Sequence, residues 1–257
     1  MVGDMNDVIV IPEGAHSVLG PSSAERWLNC PGSTGGGQTE YAAEGGAAHA
    51  LSEWVRNTGK PASTWRGKIL QVGSFEFKVG KNMIDSVDRF VADVVAEGPG
   101  AALTEERIAY EELVAGGFGT TDHARLLDWV CRVKDFKHGK GVVVGAKENS
   151  QLMLYALGVY FKYRWIYDFD KFILSICQPR VDHFDEWEVS LGHLLQWGFD
   201  VVRPGALRVH PSAPRVAGSW CRFCGYKTDC PVRVAYKISH ETGTFSRSAD
   251  DELIITQ

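Results

Sequence analysis

Two aspartates and a lysine lie close together in the segment GTTDHARLLDWVCRVKDFKHG, residues 119–139. Residues two apart on an extended chain project to the same face, so Asp135 and Lys137 are predicted to lie side by side on one strand. Asp122 belongs to the preceding strand, and the three side chains converge if these strands pair. Paired carboxylates bind Mg²⁺ or Mn²⁺, and a lysine beside them orients a water or stabilises a breaking phosphodiester. The segment therefore predicts metal-dependent phosphodiester chemistry, although a lone Asp-x-Lys pair is common at strand ends.

A histidine on a predicted helix offers a third metal ligand. His49 ends the segment EGGAAH, one helical turn after Gly45 and off the apolar stripe of that helix. Paired glycines lower helix stability, so another backbone or a ligand is expected to approach closely here. A lone histidine of this kind is more often structural or solvated.

A polar pair opens the apolar segment that follows the Asp-x-Lys strand. Gln151 and Tyr155 are four residues apart, on one face of a predicted buried helix. Buried polar groups need hydrogen-bond partners, so the pair either joins a network in the core or faces the active site.

Three cysteines form a second group of candidate ligands, in the segment WCRFCGYKTDCP. Cys221, Cys224 and Cys230 at this spacing indicate a soft metal or an iron–sulfur cluster, and both need a fourth ligand. The best fourth ligand is Cys30, in the segment RWLNCPGS. A zinc knuckle that only organises the basic C-terminal region is the alternative. We interpret the two remaining thiols as small buried hydrophobes: Cys131 and Cys177.

The charge is unevenly distributed along a chain whose net charge is −5. Residues 201–240 carry seven basic side chains and one acid, Asp229, and a second basic cluster runs from Arg132 to Lys147. Local positive surface suits contact with a phosphate backbone, although a solvated face is the commoner explanation. The opening residues lack the pattern of a secretory signal and no apolar run could cross a bilayer, so we expect a cytoplasmic protein with reduced thiols.

The hydrophobic periodicity predicts alternating helices and strands, which is an α/β or α+β layout. Helices are predicted at 41–55, 82–97, 151–167 and 191–202. Extended segments are predicted at 69–79, 103–113, 122–127, 130–136, 172–178 and 187–189. The chain after Pro204 has little periodicity, and residues 241–257 read as a disordered tail.

Taken in order, these motifs resemble the PD-(D/E)xK nucleases of the RecB/AddB type. The resemblance is carried by six motifs that span residues 30–230: Cys30, Gly45-xxx-His49, Gly119-xx-Asp122, Asp135-x-Lys137, Gln151-xxx-Tyr155 and Cys221-x₂-Cys224-x₅-Cys230. The similarity is greatest to the branch with an iron–sulfur cluster, which includes CRISPR-adaptation exonucleases and phage relatives.

The resemblance implies a restriction-endonuclease-like core, in which helices flank a central mixed sheet. It implies that the divalent cation is held by His49, Asp122, Asp135 and the main-chain carbonyl of Phe136. Lys137 would then act on the nucleophilic water. Gln151 and Tyr155 would support the site or touch DNA. A [4Fe–4S] cluster on the four cysteines would fix the C-terminal segment against the core.

The expected protein is thus one nuclease domain, residues 1–240, with its core at about 40–200. The cysteine segment 204–240 closes onto Cys30. No Walker A pattern is present, so we expect an ATP-independent DNA exonuclease of phage or bacterial recombination or repair, with a recombination protein as a further partner. A catalytically inactive DNA-binding protein on the same fold, with a zinc or iron–sulfur structural site, is the alternative. A redox-sensing role of the cysteines is a third.

Overall fold

The computed structural model describes residues 8–12, 14, 17–33, 35 and 39–242, with side chains described up to residue 239. Its strands form two mixed sheets. The smaller has the order β1-β2-β3, with β1 and β2 parallel and β2 and β3 antiparallel. Its strands are β1 (Val8–Ile11), β2 (Ile69–Val72) and β3 (Phe75–Lys78).

The larger sheet has its strands in chain order, β4-β5-β6-β7-β8. Only the β6–β7 pair is parallel, and the other neighbours are antiparallel. Parallel neighbours need a crossover connection, which the helix between β6 and β7 provides. The strands are β4 (Ala101–Ala109), β5 (Phe118–Leu126), β6 (Val130–Phe136), β7 (Lys171–Gln178) and β8 (His183–Ser190).

The helices that matter for the site begin at polar caps. The Thr39 hydroxyl accepts a hydrogen bond from the amide of Ala42, and the Asn149 side chain accepts from the amides of Gln151 and Leu152. The helices are α1 (Ala24–Asn29), α2 (Glu40–Thr58), α3 (Lys81–Ala96), α4 (Ser150–Tyr163), α5 (Leu191–Trp197), α6 (Arg203–Leu207) and α7 (Pro231–Thr242).

Each face of the larger sheet is covered by its own hydrophobic core. One core packs α4 against β5, β6 and β7, with Leu152, Leu154 and Phe172 fully buried. The other packs α2, α3 and the smaller sheet around Phe90 and Phe136. Because both faces are covered, polar side chains on β5 and β6 are enclosed unless they lie near a strand end.

The predicted α/β layout, a central mixed sheet flanked by helices, is confirmed. The helix predicted at 151–167 ends at Tyr163, and Trp165 and Ile166 beyond it are 82% and 74% exposed. No glycine or proline marks that end, so the sequence gives no signal that the helix stops before the apolar segment does. α6 includes Pro204, and α7 lies in the region after it, where the sequence has little periodicity and no helix was predicted.

The boundaries of several strands differ from those predicted. β5 and β8 begin earlier than predicted, β4 ends at Ala109, and the strand β1 was not predicted. The tail predicted as disordered lies largely outside the described residues, since only its first two residues belong to α7. No described helix combines the length and hydropathy that a membrane span requires.

Candidate active site

The predicted site residues are brought together by both faces of the larger sheet. α2 contributes from the side of the smaller sheet and α4 from the opposite side, while β4, β5 and β6 lie between them. The predicted side chains are His49 on α2, Asp122 on β5, Asp135 on β6, Lys137 just after β6, and Gln151 and Tyr155 on α4. Glu105 on β4, which was not predicted, lies among them.

Three ligand atoms form a compact group at this site. One ligand atom each from His49, Glu105 and Asp122 lies within 4.8 Å of the others, and in the described residues this is the one such group of three or more His, Cys, Asp or Glu side chains. His49 Nδ1 lies 3.2 Å from Asp122 Oδ1 and 3.5 Å from Glu105 Oε1. Imidazole nitrogen and two carboxylates suit a divalent cation such as Mn²⁺.

Glu105 is held in this group by an unusual backbone conformation. Its φ of 46° lies in the left-handed region, which is uncommon for a residue with a side chain. The paired register of β4 and β5 continues on both sides, from Thr104 with His123 to Glu106 with Thr121, and is interrupted where Glu105 faces Asp122. Backbone strain of this kind clusters at functional sites.

Asp122 is fixed through both carboxylate oxygens. Oδ1 faces His49, and Oδ2 accepts a hydrogen bond of 2.6 Å from the amide of Phe136. β6 thus orients the aspartate of β5 through its main chain. Phe136 is also fully buried, and its ring stacks on Phe90 with centroids 4.7 Å apart.

A chain of polar contacts links the Asp-x-Lys pair to α4. Gln151 Nε2 donates to Asp135 Oδ1 at 2.8 Å and to the Tyr155 hydroxyl at 3.0 Å. Lys137 Nζ donates to Gln151 Oε1 at 2.9 Å and lies 2.9 Å from Asp135 Oδ2. This last contact is an ion pair without hydrogen-bond alignment, so Asp135 Oδ2 is buried without a hydrogen bond. The polar pair on α4 therefore faces the site instead of forming a separate core network.

The electrostatics make His49 and Asp122 an ion pair when no metal is bound. Burial lowers the pKa of His49, but the charges and hydrogen bonds of Asp122 and Glu105 outweigh burial and hold that pKa well above its usual value. Burial raises the pKa of Asp122, but His49, the Phe136 amide and Lys137 bring it below its usual value.

The remaining acids are pushed towards their neutral forms. Burial and the charge of Asp122 raise the pKa of Glu105 and that of Asp135, despite the opposing basic neighbours. The pKa of Tyr155 stands well above its usual value because of burial and the charges of Asp122 and Asp135. Clustered carboxylates with raised pKa values form a site that gains from a bound cation.

The glycines of the motifs have two different explanations. A Cβ at Gly119 would lie 2.6 Å from Pro21 Cγ and 3.0 Å from Tyr155 Cε1, so this glycine lets the Tyr155 ring pack against β5. A Cβ at Gly45 would meet no described atom within 4 Å, and one at Gly46 would meet only Val72, at 3.8 Å. Among the described residues, no other backbone approaches this turn of α2, so that half of the expectation is wrong. The approach of a ligand stays a prediction.

Glu105 is a candidate ligand that was not predicted from the sequence. It takes a place in the compact group that was predicted for Asp135, whose oxygens instead face Gln151 and Lys137. Phe136 contacts the site through its amide nitrogen, and the role of its carbonyl as a ligand stays a prediction. The sequence does not distinguish Glu105 from its neighbour Glu106 in the segment LTEERIAY. Only the position of Glu105 opposite Asp122 in the sheet shows which of the two faces the site.

The four predicted cysteine ligands line one pocket. Cys221, Cys224 and Cys230 come from the segment before α7, and Cys30 from the residue after α1. Cys30 Sγ accepts a hydrogen bond of 3.3 Å from the Val216 amide. Burial, and then the three neighbouring thiols, raise the pKa of Cys221. Residue 30 and residues 216–230 are thus adjacent in space.

The surroundings of this pocket suit an anionic centre. Its charged lining residues are all basic: Arg26, Arg215, Lys227 and Arg233. Arg26 Nε, Ser33 Oγ and Arg233 Nε are buried donors without a hydrogen-bond partner. No three of the four sulfurs lie mutually within 4.8 Å.

The other two cysteines are fully buried, one in each hydrophobic core, as their interpretation as small hydrophobes requires. Burial raises the pKa of Cys177 to about 12 and that of Cys131 well above its usual value. Neither thiol lines the pocket of the other four.

Comparison with known proteins places the chain in a family. The family model described as "Protein of unknown function (DUF2800)" matches residues 16–253, so the chain belongs to this family. Among solved structures, the chain is similar to the one titled "Crystal structure of SSO0001", with 14% sequence identity and a TM-score of 0.36. That similarity covers 89% of this chain and 87% of the other.

Proposed function

We propose that this protein is a divalent-metal-dependent deoxyribonuclease of the PD-(D/E)xK type, acting on DNA ends without ATP. The observation that carries the proposal is the group of His49, Glu105 and Asp122 within 4.8 Å, beside the Asp135–Lys137 pair. A cation site next to a lysine provides the two parts that phosphodiester hydrolysis needs. The polar pair of α4 orients both members of that pair.

The residues present fit a hard divalent cation. Glu105 Oε1 and Asp135 Oδ2 are buried, and their cationic neighbours (His49 and Arg56 for Glu105, Lys137 for Asp135) make no well-aligned hydrogen bond to them. A metal ion would be a better partner for both oxygens. His49, Glu105 and Asp122 would hold Mg²⁺ or Mn²⁺, with Asp135 and the Phe136 carbonyl as the further predicted ligands. When bound, the metal supplies Lewis-acid activation of the phosphodiester and of the attacking water.

The side chains around the metal site have separable roles. Lys137 is 28% exposed, and its Nζ lies at the mouth of the site, where it would hold the water or the leaving oxygen. Gln151 fixes Lys137 and Asp135 with opposite ends of its amide. Tyr155 is buried behind Gln151, so its contribution is to position that amide.

The cysteine pocket would hold a [4Fe–4S] cluster, which stabilises the C-terminal segment. A single tetrahedral zinc ion, with Zn–S distances of about 2.3 Å, needs sulfurs about 3.8 Å apart. No three of the sulfurs here lie within 4.8 Å of one another, so their arrangement is not that of a preformed tetrahedral zinc site. The surrounding basic side chains offset the negative charge of a cluster with four thiolate ligands, and the unpartnered buried donors point to an acceptor in the pocket.

A nuclease assay with Mg²⁺ or Mn²⁺ tests the proposal, on end-labelled linear, circular and single-stranded DNA. Lys137→Ala is the test variant, and Lys171→Ala is the control, because Lys171 begins β7 at the opposite end of the β6–β7 pair. We expect the wild type and the control to degrade linear but not circular DNA, and Lys137→Ala to be inactive. If the folded wild type binds DNA but cleaves none of these substrates, the inactive DNA-binding protein is the better account.

A further inference from the structure

Arg56 is a buried arginine beside the metal site that has no place in the motifs of the sequence analysis. It lies seven residues after His49 on α2, so the two side chains project from the same face of the helix. Its side chain is only 7% exposed, and Nε and Nη1 have no hydrogen-bond partner in the part of the chain that the structure describes. The guanidinium carbon lies 5.3 Å from the centre of the Phe90 ring, which partly offsets the lost solvation.

Among the described residues, this guanidinium makes one hydrogen bond, at the interruption of the β4–β5 ladder. Arg56 Nη2 donates to the backbone carbonyl of Asp122 at 2.8 Å and lies 3.7 Å from Glu105 Oε1. The left-handed conformation of Glu105 removes the pairing expected opposite Asp122. Arg56 therefore satisfies a buried carbonyl and faces the carboxylate that the distortion turns into the site.

The charge of Arg56 also matters, because the site concentrates acids in a buried place. Glu105, Asp122 and Asp135 repel one another there, as the raised pKa values of two of them indicate. A buried guanidinium is itself costly, as its lowered pKa shows, with burial as the largest cause. A role in holding Glu105 and Asp122 in position would explain why a buried guanidinium lies beside these two candidate ligands.

We propose that Arg56 is a positioning residue of the metal site. It holds the main chain of Asp122 and the carboxylate of Glu105 where they converge with His49, and touches neither the metal nor DNA. The inference rests on the metal site of the proposed function and extends it to a residue outside the ligand group. Outer-shell partners of metal ligands affect affinity by about 10–100-fold.

Calorimetric titration with Mn²⁺ tests this role in wild type, Arg56→Met and Arg56→Lys. Arg56→Met is expected to bind Mn²⁺ about 10–100-fold more weakly. Arg56→Lys should lose less, since it keeps the charge but not the planar fork. Arg125→Met is the matched control, because Arg125 is also buried and also donates to backbone carbonyls, those of Val94 and Gly100, away from the ligand group.

Activity measured against Mn²⁺ concentration separates positioning from a general structural role. A positioning residue raises the half-saturating Mn²⁺ concentration, and saturating metal restores most of kcat, whereas damage to the fold lowers kcat at every concentration. If Arg56→Met does not fold, Arg56→Lys carries the test through the same two measurements. Folded variants that bind Mn²⁺ as tightly as wild type overturn the role of Arg56 alone. A wild type that binds no Mn²⁺ overturns the proposed metal site, and this inference with it.

Discussion

The carboxylate site and the cysteine site place their ligands on different kinds of structure. His49, Glu105 and Asp122 lie on a long helix and two long strands, all packed into the hydrophobic cores. Cys221 lies in a short 3₁₀ helix and the other three cysteines lie outside regular elements, in segments joined by contacts such as Ser219 to Glu25 and Gly32 to Pro214. The first site is therefore organised by the fold, whereas we expect the second to organise the segment around it.

Loss of a cysteine ligand should have the largest effect on structure, confined to one region. A structural metal centre contributes on the order of 10 kcal/mol to the folding of its segment. Cys224→Ser should therefore open residues 214–242 to proteolysis and abolish iron binding, while the core keeps its unfolding midpoint. Cys177→Ala removes a thiol outside the pocket and should leave iron binding unchanged. Equal protease resistance of Cys224→Ser and wild type would contradict the prediction.

Loss of a carboxylate should affect chemistry without harming the fold. The pKa of Asp135 is raised by burial and by the charge of Asp122, so the ionised form opposes folding in the absence of metal. Asp135→Asn should lower kcat by about 10²–10³-fold, which is the usual effect of removing one hydrogen-bond donor that stabilises charge in a transition state. Its unfolding midpoint without metal should equal or exceed that of wild type. A clear loss of stability would show that the ion pair with Lys137 outweighs the cost of burial.

Proton competition should make metal binding at the carboxylate site strengthen with pH. The pKa of His49 in the folded protein stands well above its unfolded value of about 6.5. The proton thus stabilises the metal-free fold below pH 6.5, and this contribution is lost as pH rises through the raised pKa. Since a ligating histidine must be neutral, Mn²⁺ affinity should increase by up to about tenfold per pH unit over that range. Calorimetry at several pH values measures this dependence. In the control His49→Gln, the part of the pH dependence of Mn²⁺ affinity that comes from His49 should be absent.

The smallest expected effect comes from the packing behind Tyr155. In Gly119→Ala the new methyl group would press on Pro21 and on the Tyr155 ring. Overpacking of this kind costs about 1–3 kcal/mol, measurable by urea unfolding, and should displace Gln151 enough to lower kcat severalfold. Gly45→Ala faces open space and should gain helix stability instead. Equal effects of the two variants would contradict the distinction between them.

The sequence predicted the elements better than the details of the site. The Asp-x-Lys strand, the helix with His49 and the buried helix with Gln151 are local patterns, and each was found within a few residues of its predicted bounds. Glu105 could not be found in this way, because its role depends on a pairing between β4 and β5 and on one left-handed residue. Arg56 was missed for a related reason, since its partner is a backbone carbonyl more than sixty residues away in the chain.

For the cysteine site, the candidate residues were predicted better than the secondary structure around them. The spacing of Cys221, Cys224 and Cys230 predicts a site regardless of fold, and Cys30 was chosen as the fourth predicted ligand from its sequence context alone. All four line one pocket. The helix α7 that follows was not predicted, because the Pro- and Arg-rich composition masks its amphipathic pattern.

The most direct test of the central claim is a crystal structure with Mn²⁺, with the ion located by its anomalous scattering. The account predicts a peak about 2 Å from a ring nitrogen of His49 and from carboxylate oxygens of Glu105 and Asp122. A well-ordered site without that peak, or manganese bound only elsewhere on the protein, would contradict it.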